Sequence, residues 1–238
     1  MQVQKLREFS NSENNTWSQL FANLVDNRKQ QAHPLFALGI EKLGLTGDHI
    51  PDLNLVNEKL FKLTGWTAVP VKGLEDGKSF FNGLAEKKFP IGNFIRSAED
   101  LSYTPEPDIF HDLYGHIPFF ADKDYADFNQ NFGVVASKYV DDPKKLLLYE
   151  RLYWFGLEFP LIETVQGRRI FGGGLLSSLG ESNYSLSDKP NVLEFNLEKI
   201  ADQDYRIDIF QETLFVLKKP QQLYSCLPEY EKIVNSKC

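Results

Sequence analysis

Residues 146–162 (LLLYERLYWFGLEFPLI) constrain this chain more than any other stretch. They are apolar almost all round, and a helix of that kind has to be covered on most of its faces. The cover must come from the rest of the chain. A domain built from 238 residues hides roughly 70–75% of the surface its unfolded form exposes, so one core suffices without disulfide or metal staples. A single acid, Glu158, stands at the apolar end of the stretch, with Trp154 and Phe155 before it and Phe159 and Leu161 after it. Ionised carboxylates are seldom buried unless paired or bound to a metal. Arg151 is seven residues back, almost two helical turns away, whereas Trp154 lies one turn back and shares the face of Glu158.

The remaining sequence reads as mainly α with a few short strands, an α+β chain. Residues 12–31 carry Trp17, Leu20, Phe21, Leu24 and Val25 at helical spacing, with Ser12 or Asn14 placed to cap. Pro34 opens a second helix that Gly44 stops, and Pro51 opens a third that ends near Gly65. Residues 66–71 (WTAVPV), interrupted by Pro70, suit an edge strand or extended loop. Residues 78–86 read as a short helix, 88–96 as extended or turn-like, and the glycine-rich 170–179 as a tight turn. No repeat or long linker divides the chain, so residues 1–238 form one domain, with 1–49 as a looser helical part.

Composition excludes several classes. With 42% apolar and 13% aromatic residues the chain is not disordered. A net charge of −7 offers no basic footprint for nucleic acid or for an anionic membrane surface. No stretch approaches the roughly 18–20 apolar residues of a membrane span, and the polar N-terminus has no signal-peptide core. The cysteines, Cys226 and Cys238, make no disulfide framework, which fits reduced thiols and a cytoplasmic protein.

Two of the four histidines, His111 and His116, lie within Pro-Asp-Ile-Phe-His-Asp-Leu-Tyr-Gly-His-Ile-Pro at 107–118. Five residues turn an α-helix by about 140°, so the pair does not share a face of a straight helix. Gly115 and Pro118 offer a way out, with the first histidine on a short helix and the second on the bend after it. Asp108 and Asp112 are placed either to orient the imidazoles or to serve as a helix cap and a solvated charge. Glu158 is the best third ligand, the alternative being an ion pair with a distant Arg or Lys. Two imidazoles and one carboxylate form the ligand set of non-haem Fe(II) sites, and of some catalytic zinc sites. The residues alone leave both open.

The run 103–118 (YTPEPDIFHDLYGHIP) resembles the pterin-dependent aromatic amino acid hydroxylases, and closest the short bacterial phenylalanine-hydroxylating members. Three further blocks agree in order: Phe94-Ile95-Arg96, Leu152–Phe155 with Glu158-Phe159, and 172–181 (GGGLLSSLGE). The resemblance covers residues 50–225 and implies the family's single-domain catalytic fold. It implies that His111, His116 and Glu158 bind Fe(II), and that Arg96 grips the substrate carboxylate as a bidentate donor. By the same resemblance Thr104, Gly174 and Ser177 line the amino-acid end, and Trp154 and Phe159 wall the ring. Gly73, Leu74 and Phe80 belong to the pterin loop and its stacking aromatic, and Tyr153 and Glu181 lie close to pterin and iron.

The implied activity is an O₂-dependent monooxygenase with a tetrahydropterin (tetrahydrobiopterin or a bacterial analogue) as electron donor, most simply converting L-phenylalanine to L-tyrosine. Tryptophan, tyrosine or another ring position are the alternatives within the class. A zinc hydrolase with the same ligands and a non-catalytic pterin or amino-acid binding protein are the rivals outside it. Pro160 and Gly156 depart from the family's usual Gly and Thr, and within a helix Pro160 would free the carbonyl of residue 156 and kink the chain. Glu75 and Asp76 make the pterin loop acidic. Without the animal enzymes' regulatory domain and tetramerisation helix, a monomer is expected.

Overall fold

Local signals set most of the helices in the computed structural model, which describes residues 1–99, 101 and 106–238. Helix α1 (Asn11–Gln31) starts one residue before the expected 12, because Ser10 and Glu13 form a reciprocal capping box. Ser12 and Asn14 therefore lie inside the helix, and the Asn14 side chain instead accepts a hydrogen bond from the Ile50 amide. Helix α2 (Pro34–Leu43) has proline in its first turn and ends on Gly44 at φ +66°. Helix α3 (Leu53–Thr64) is capped by Asp52 and ends on Gly65 at φ +78°.

Strands β1 (Thr67–Val71) and β2 (Lys88–Gly92) pair in parallel, with α4 (Gly77–Ala85) crossing between them. The sheet has two strands, and the outer edge of β1 carries only an isolated bridge between Val3 and Val71, with the Gln4 amide donating to the Pro70 carbonyl at 2.8 Å, so neither Pro70 nor Pro90 has to donate to a full ladder. A π-helix (His111–His116), a 3₁₀ turn (Ile117–Ala121), α5 (Lys123–Ala136) and α6 (Pro143–Tyr153) follow. A second π-helix (Trp154–Glu158) continues α6 directly.

The apolar helix expected to reach residue 162 thus ends at Glu158. Phe159 leaves helical geometry (φ −125°, ψ 18°), because the residue before a proline is disfavoured in the α region. Pro160 terminates the helix and does not kink it, and Ile162 lies in β3 (Leu161–Thr164). Strand β4 (Gly167–Ile170) hairpins onto β3, followed by α7 (Gly173–Leu176) and α8 (Leu179–Ser185). Strand β5 (Asn191–Glu194), α9 (Leu197–Asp202), β6 (Thr213–Leu217), α10 (Pro220–Tyr224) and α11 (Leu227–Lys237) complete the chain. The second sheet runs β4-β3-β6-β5, with β6 parallel to both neighbours.

One contiguous buried cluster runs from Trp17 in α1 to Val234 in α11 and includes Leu148, Leu152, Phe155 and Leu157 of the apolar segment. No described helix is long and apolar enough to cross a membrane.

Candidate metal centre

The His-x4-His spacing finds its explanation in the π-helix. The Ile117 amide donates to the Asp112 carbonyl five residues back, and in a turn closed at that interval residues five apart stand one above another. Both imidazoles therefore converge without the bend that an α-helical reading demands. The same register recurs at the third residue of the set. The Phe159 amide donates to the Trp154 carbonyl at 2.9 Å, which aims Glu158 inward and brings the Trp154 and Phe159 rings to 4.5 Å.

His111 Nε2 and His116 Nε2 are 3.2 Å apart. Glu158 sends Oε1 to His111 Nε2 at 3.2 Å and Oε2 to His116 Nε2 at 3.0 Å. Two ligands bound about 90° apart on one ion, each about 2.1 Å from it, stand about 3 Å from one another. Among the described residues no other group of histidine, cysteine or acidic side chains converges this way. Burial alone would lower the His111 pKa, but the Glu158 carboxylate outweighs it and pushes the imidazole up to about 9. Burial would likewise raise Glu158, but both imidazoles hold its carboxyl well below the usual range. A cation between them suits this charge balance.

The His111 tautomer follows from its neighbour. Ser177 Oγ donates to the Gly174 carbonyl at 3.1 Å, so toward His111 Nδ1, at 2.9 Å, it accepts. The neutral ring then carries its proton on Nδ1 and turns the Nε2 lone pair to the cluster. His116 Nδ1 is buried without a hydrogen-bond partner among the described residues, and its ring is held by packing, with Phe89 at 5.2 Å.

Gly172, Gly173 and Gly174 form a cradle beneath these ligands. A Cβ on Gly172 would stand 2.3 Å from the Glu158 carbonyl oxygen, on Gly173 2.4 Å from His116 Nδ1, and on Gly174 2.5 Å from Glu158 Oε1. None of the three has a positive φ. They are glycine for space, and the expected tight turn is the entry to α7. Gly115 answers from the opposite side, where a Cβ would meet the Gly173 carbonyl at 2.4 Å. The departure at Gly156 points elsewhere, toward Leu223 and Phe195.

Asp108 is completely buried and its carboxylate accepts four hydrogen bonds. Oδ1 accepts from the His111 amide at 2.9 Å, starting the ligand-bearing turn, and from Arg96 Nη2 at 2.9 Å, while Oδ2 accepts from the Arg96 amide at 2.9 Å and Nε at 2.8 Å. Burial would raise its pKa, but the Arg96 hydrogen bonds and charge hold it below the ordinary value. Arg96, itself buried, gives one N–H of Nη1 to the Leu101 carbonyl and Nε and one N–H of Nη2 to Asp108, so among the described residues one N–H on each terminal nitrogen has no partner. Asp112 is not solvated. It is buried, accepts from the Gly92 amide at 2.7 Å, and burial raises its pKa to about 6. Neither aspartate accepts from an imidazole N–H; Ser177 does that.

On one flank Phe80 of α4 meets the edge of Tyr153 at 4.8 Å. Gly73 (φ +74°) and Leu74 precede them on an exposed loop, where Asp76 caps α4 by accepting from the Ser79 amide. On the other flank Trp154 stacks on Tyr205 at 4.4 Å and donates to Gln211 Oε1, and the Gln211 amide donates to Glu181. Burial raises the Glu181 carboxyl to about 7. Thr104 lies outside the described residues. Asp108 meets the helix-cap alternative by accepting from the His111 amide, and Gly172 and Gly173, expected as a tight turn, make space for the cluster; Tyr205 and Gln211 were missed, since neither carries a local signal.

Residues 2–237 match the family profile of the biopterin-dependent aromatic amino acid hydroxylases. The phenylalanine-4-hydroxylase of Caulobacter vibrioides is 40% identical over 216 residues, covering 90% of this chain and 73% of that protein. That of Pseudomonas aeruginosa is 38% identical over 221 residues, covering 93% and 84%. The structure of Chromobacterium violaceum phenylalanine hydroxylase with bound Fe(III) superposes with a TM-score of 0.94 at 36% identity, covering 99% of this chain and 86% of that one. A structure of the same enzyme with iron(III) and 7,8-dihydrobiopterin gives 0.91 at 38% identity, covering 98% and 86%.

Proposed function

This chain belongs to the biopterin-dependent aromatic amino acid hydroxylases, and from that premise we propose that it hydroxylates L-phenylalanine to L-tyrosine with iron, a tetrahydropterin and O₂. The observation that carries the reading is the meeting of His111, His116 and Glu158 from two π-helical turns. Bound there, iron and the reduced pterin supply oxygen activation and two electrons. The relatives compared above carry phenylalanine as their substrate in name, which favours it over tryptophan, tyrosine or another ring position. The zinc-hydrolase alternative has the ligands in its favour and nothing in the family.

In this reading His111 Nε2, His116 Nε2 and Glu158 hold the metal, and Ser177 keeps the His111 tautomer correct. Arg96, held rigid by Asp108, presents its remaining N–H groups to the substrate carboxylate. Gly174, Ser177 and Thr104 border the amino-acid end. Trp154 and Phe159 orient the ring and so select the carbon that reacts. Gly73, Leu74, Phe80, Tyr153 and Glu181 form the pterin side. A cytoplasmic monomer without nucleic-acid or membrane partners completes the reading. The net charge of −7 supports the absence of polyanionic partners, and size-exclusion mass measurement checks the monomer.

Purified protein given Fe(II), tetrahydrobiopterin and each aromatic amino acid in turn decides the matter. Tyrosine from phenylalanine is the expected product, and zinc-supported hydrolysis without any pterin requirement would overturn the reading. Glu158→Ala is expected to lose iron and all hydroxylation. Full iron occupancy in that variant would remove Glu158 from the ligand set.

A further inference from the structure

Segment 203–212 joins α9 to β6 without regular structure, and most of it is open to solvent, Ile207 at 78% and Phe210 at 48%. Gln211 is the exception, at 5%. A polar side chain buried in an exposed loop has to be satisfied there, and each of its partners can be named. Oε1 accepts from Trp154 Nε1 at 2.9 Å, while Nε2 donates to the carbonyls of Arg206 at 2.7 Å and Ile209 at 3.2 Å. Its backbone amide donates to Glu181 Oε1 at 3.2 Å. The amide has only one workable orientation. Reversed, it would set two donors against each other at the indole and an acceptor against two carbonyls.

We propose that Gln211 is a positioning residue for the substrate's ring, acting through Trp154. The inference deepens the functional reading above and rests on it. An indole has one donor, and fixing that donor fixes the rotation of the ring plane. Tyr205, six residues before Gln211 on the same segment, stacks on the indole face at 4.4 Å and 17° and fixes its position. A cavity of about 230 Å³ bordered by Phe155, Tyr205, Ile209 and Gln211 lies against the segment. Asp204 is tied to Arg151 and Phe210 meets the Tyr184 ring at 5.4 Å, and beside the cavity it is the Gln211 amide's hydrogen bonds that hold the inner side of the segment. The tilt of Trp154, and with it the carbon presented to the metal, is set by a residue that touches neither substrate nor metal. Through Glu181 the same residue ties the ring wall to the pterin side.

The test is a double-mutant cycle between Gln211→Met, which keeps shape and removes the hydrogen bonds, and Trp154→Phe, which removes the donor. Gln211→Met is expected to raise the KM for phenylalanine about three- to tenfold, more than it lowers kcat, and to reduce tyrosine formed per tetrahydropterin oxidised. In the Trp154→Phe background the same change is expected to have almost no further effect. Unchanged KM and coupling in Gln211→Met, or fully additive effects in the cycle, would overturn the proposal. Trp17 and Trp66 are fully buried, so the emission difference between each protein and its Trp154→Phe counterpart reports on Trp154 without turnover. An emission unchanged by Gln211→Met would sink the clamp itself. A wild-type protein that hydroxylates no aromatic amino acid would instead sink the functional reading. Should Gln211→Met fail to fold, Gln211→Asn, too short to reach the indole, takes its place with the same expectations.

Discussion

Gly173, beneath the His111–His116–Glu158 cluster, and Gly73, on the loop proposed to meet the pterin, are glycine for unrelated reasons. At Gly173 the backbone is ordinary, and a Cβ would stand 2.4 Å from a buried ring of His116. At Gly73 φ is +74°, the residue is exposed, and the nearest atom to a Cβ is a carboxylate oxygen at 3.5 Å. One side of the site is held by interlocked backbone and ligands, the other by local conformation in solvent. The metal side should therefore respond to added atoms in metal binding, and the rim should respond only in stability.

Gly173→Ala breaks this comparison hardest. The expected outcome is loss of iron affinity by about 10- to 100-fold, with roughly 1–3 kcal/mol of destabilisation from overpacking. Metal analysis and thermal unfolding check it, and normal iron retention would dissolve the contrast. Ser177→Ala comes next. It removes the acceptor on His111 Nδ1 and should weaken iron about tenfold or more while leaving the fold intact, measured by competition with a chelator.

Glu181 tests the region between the two sides. Its folded pKa, about 7, is raised from 4.5. Such a carboxyl favours the folded state fully below pH 4.5 and loses that contribution as pH rises through 7. Glu181→Gln should thus lose less stability than wild type between pH 5.5 and 8, by roughly 2–3 kcal/mol at most. Parallel unfolding curves for the two proteins across that range would show that Glu181 is not perturbed. Gly73→Ala is the smallest effect, about 1 kcal/mol from placing a side chain in the left-handed region, with iron content unchanged. If iron is lost there as well, the rim is not independent of the centre.

Helix boundaries were legible wherever the signal sits within one turn. Pro34, Gly44 and Gly65 mark real ends, whereas Pro51 stands outside the third helix, which the Asp52 side chain caps by accepting from the Asn54 amide. Ser10 escaped because the capping box begins before the apolar periodicity does. The ligand residues were legible as types, and Glu158 stood out as an acid in apolar surroundings. Their geometry was not, since a five-residue interval contradicts α-helical spacing and only the observed π-turns make it productive. The helix drawn through Pro160 failed because apolar character persisted after backbone geometry had changed.

The order of residues alone determined a buried apolar segment ending in one acid, a histidine pair on a short irregular turn, and the helix stops around them, because each depends on neighbours a few positions away. Tertiary structure decided which atoms meet. Ser177 reaches His111 across 66 positions, Arg28 on α1 holds the Leu176 carbonyl across 148, and Gln211 takes the Trp154 indole across 57. Such contacts arise only when close packing brings distant backbone within hydrogen-bond range, and side-chain chemistry carries no record of that distance.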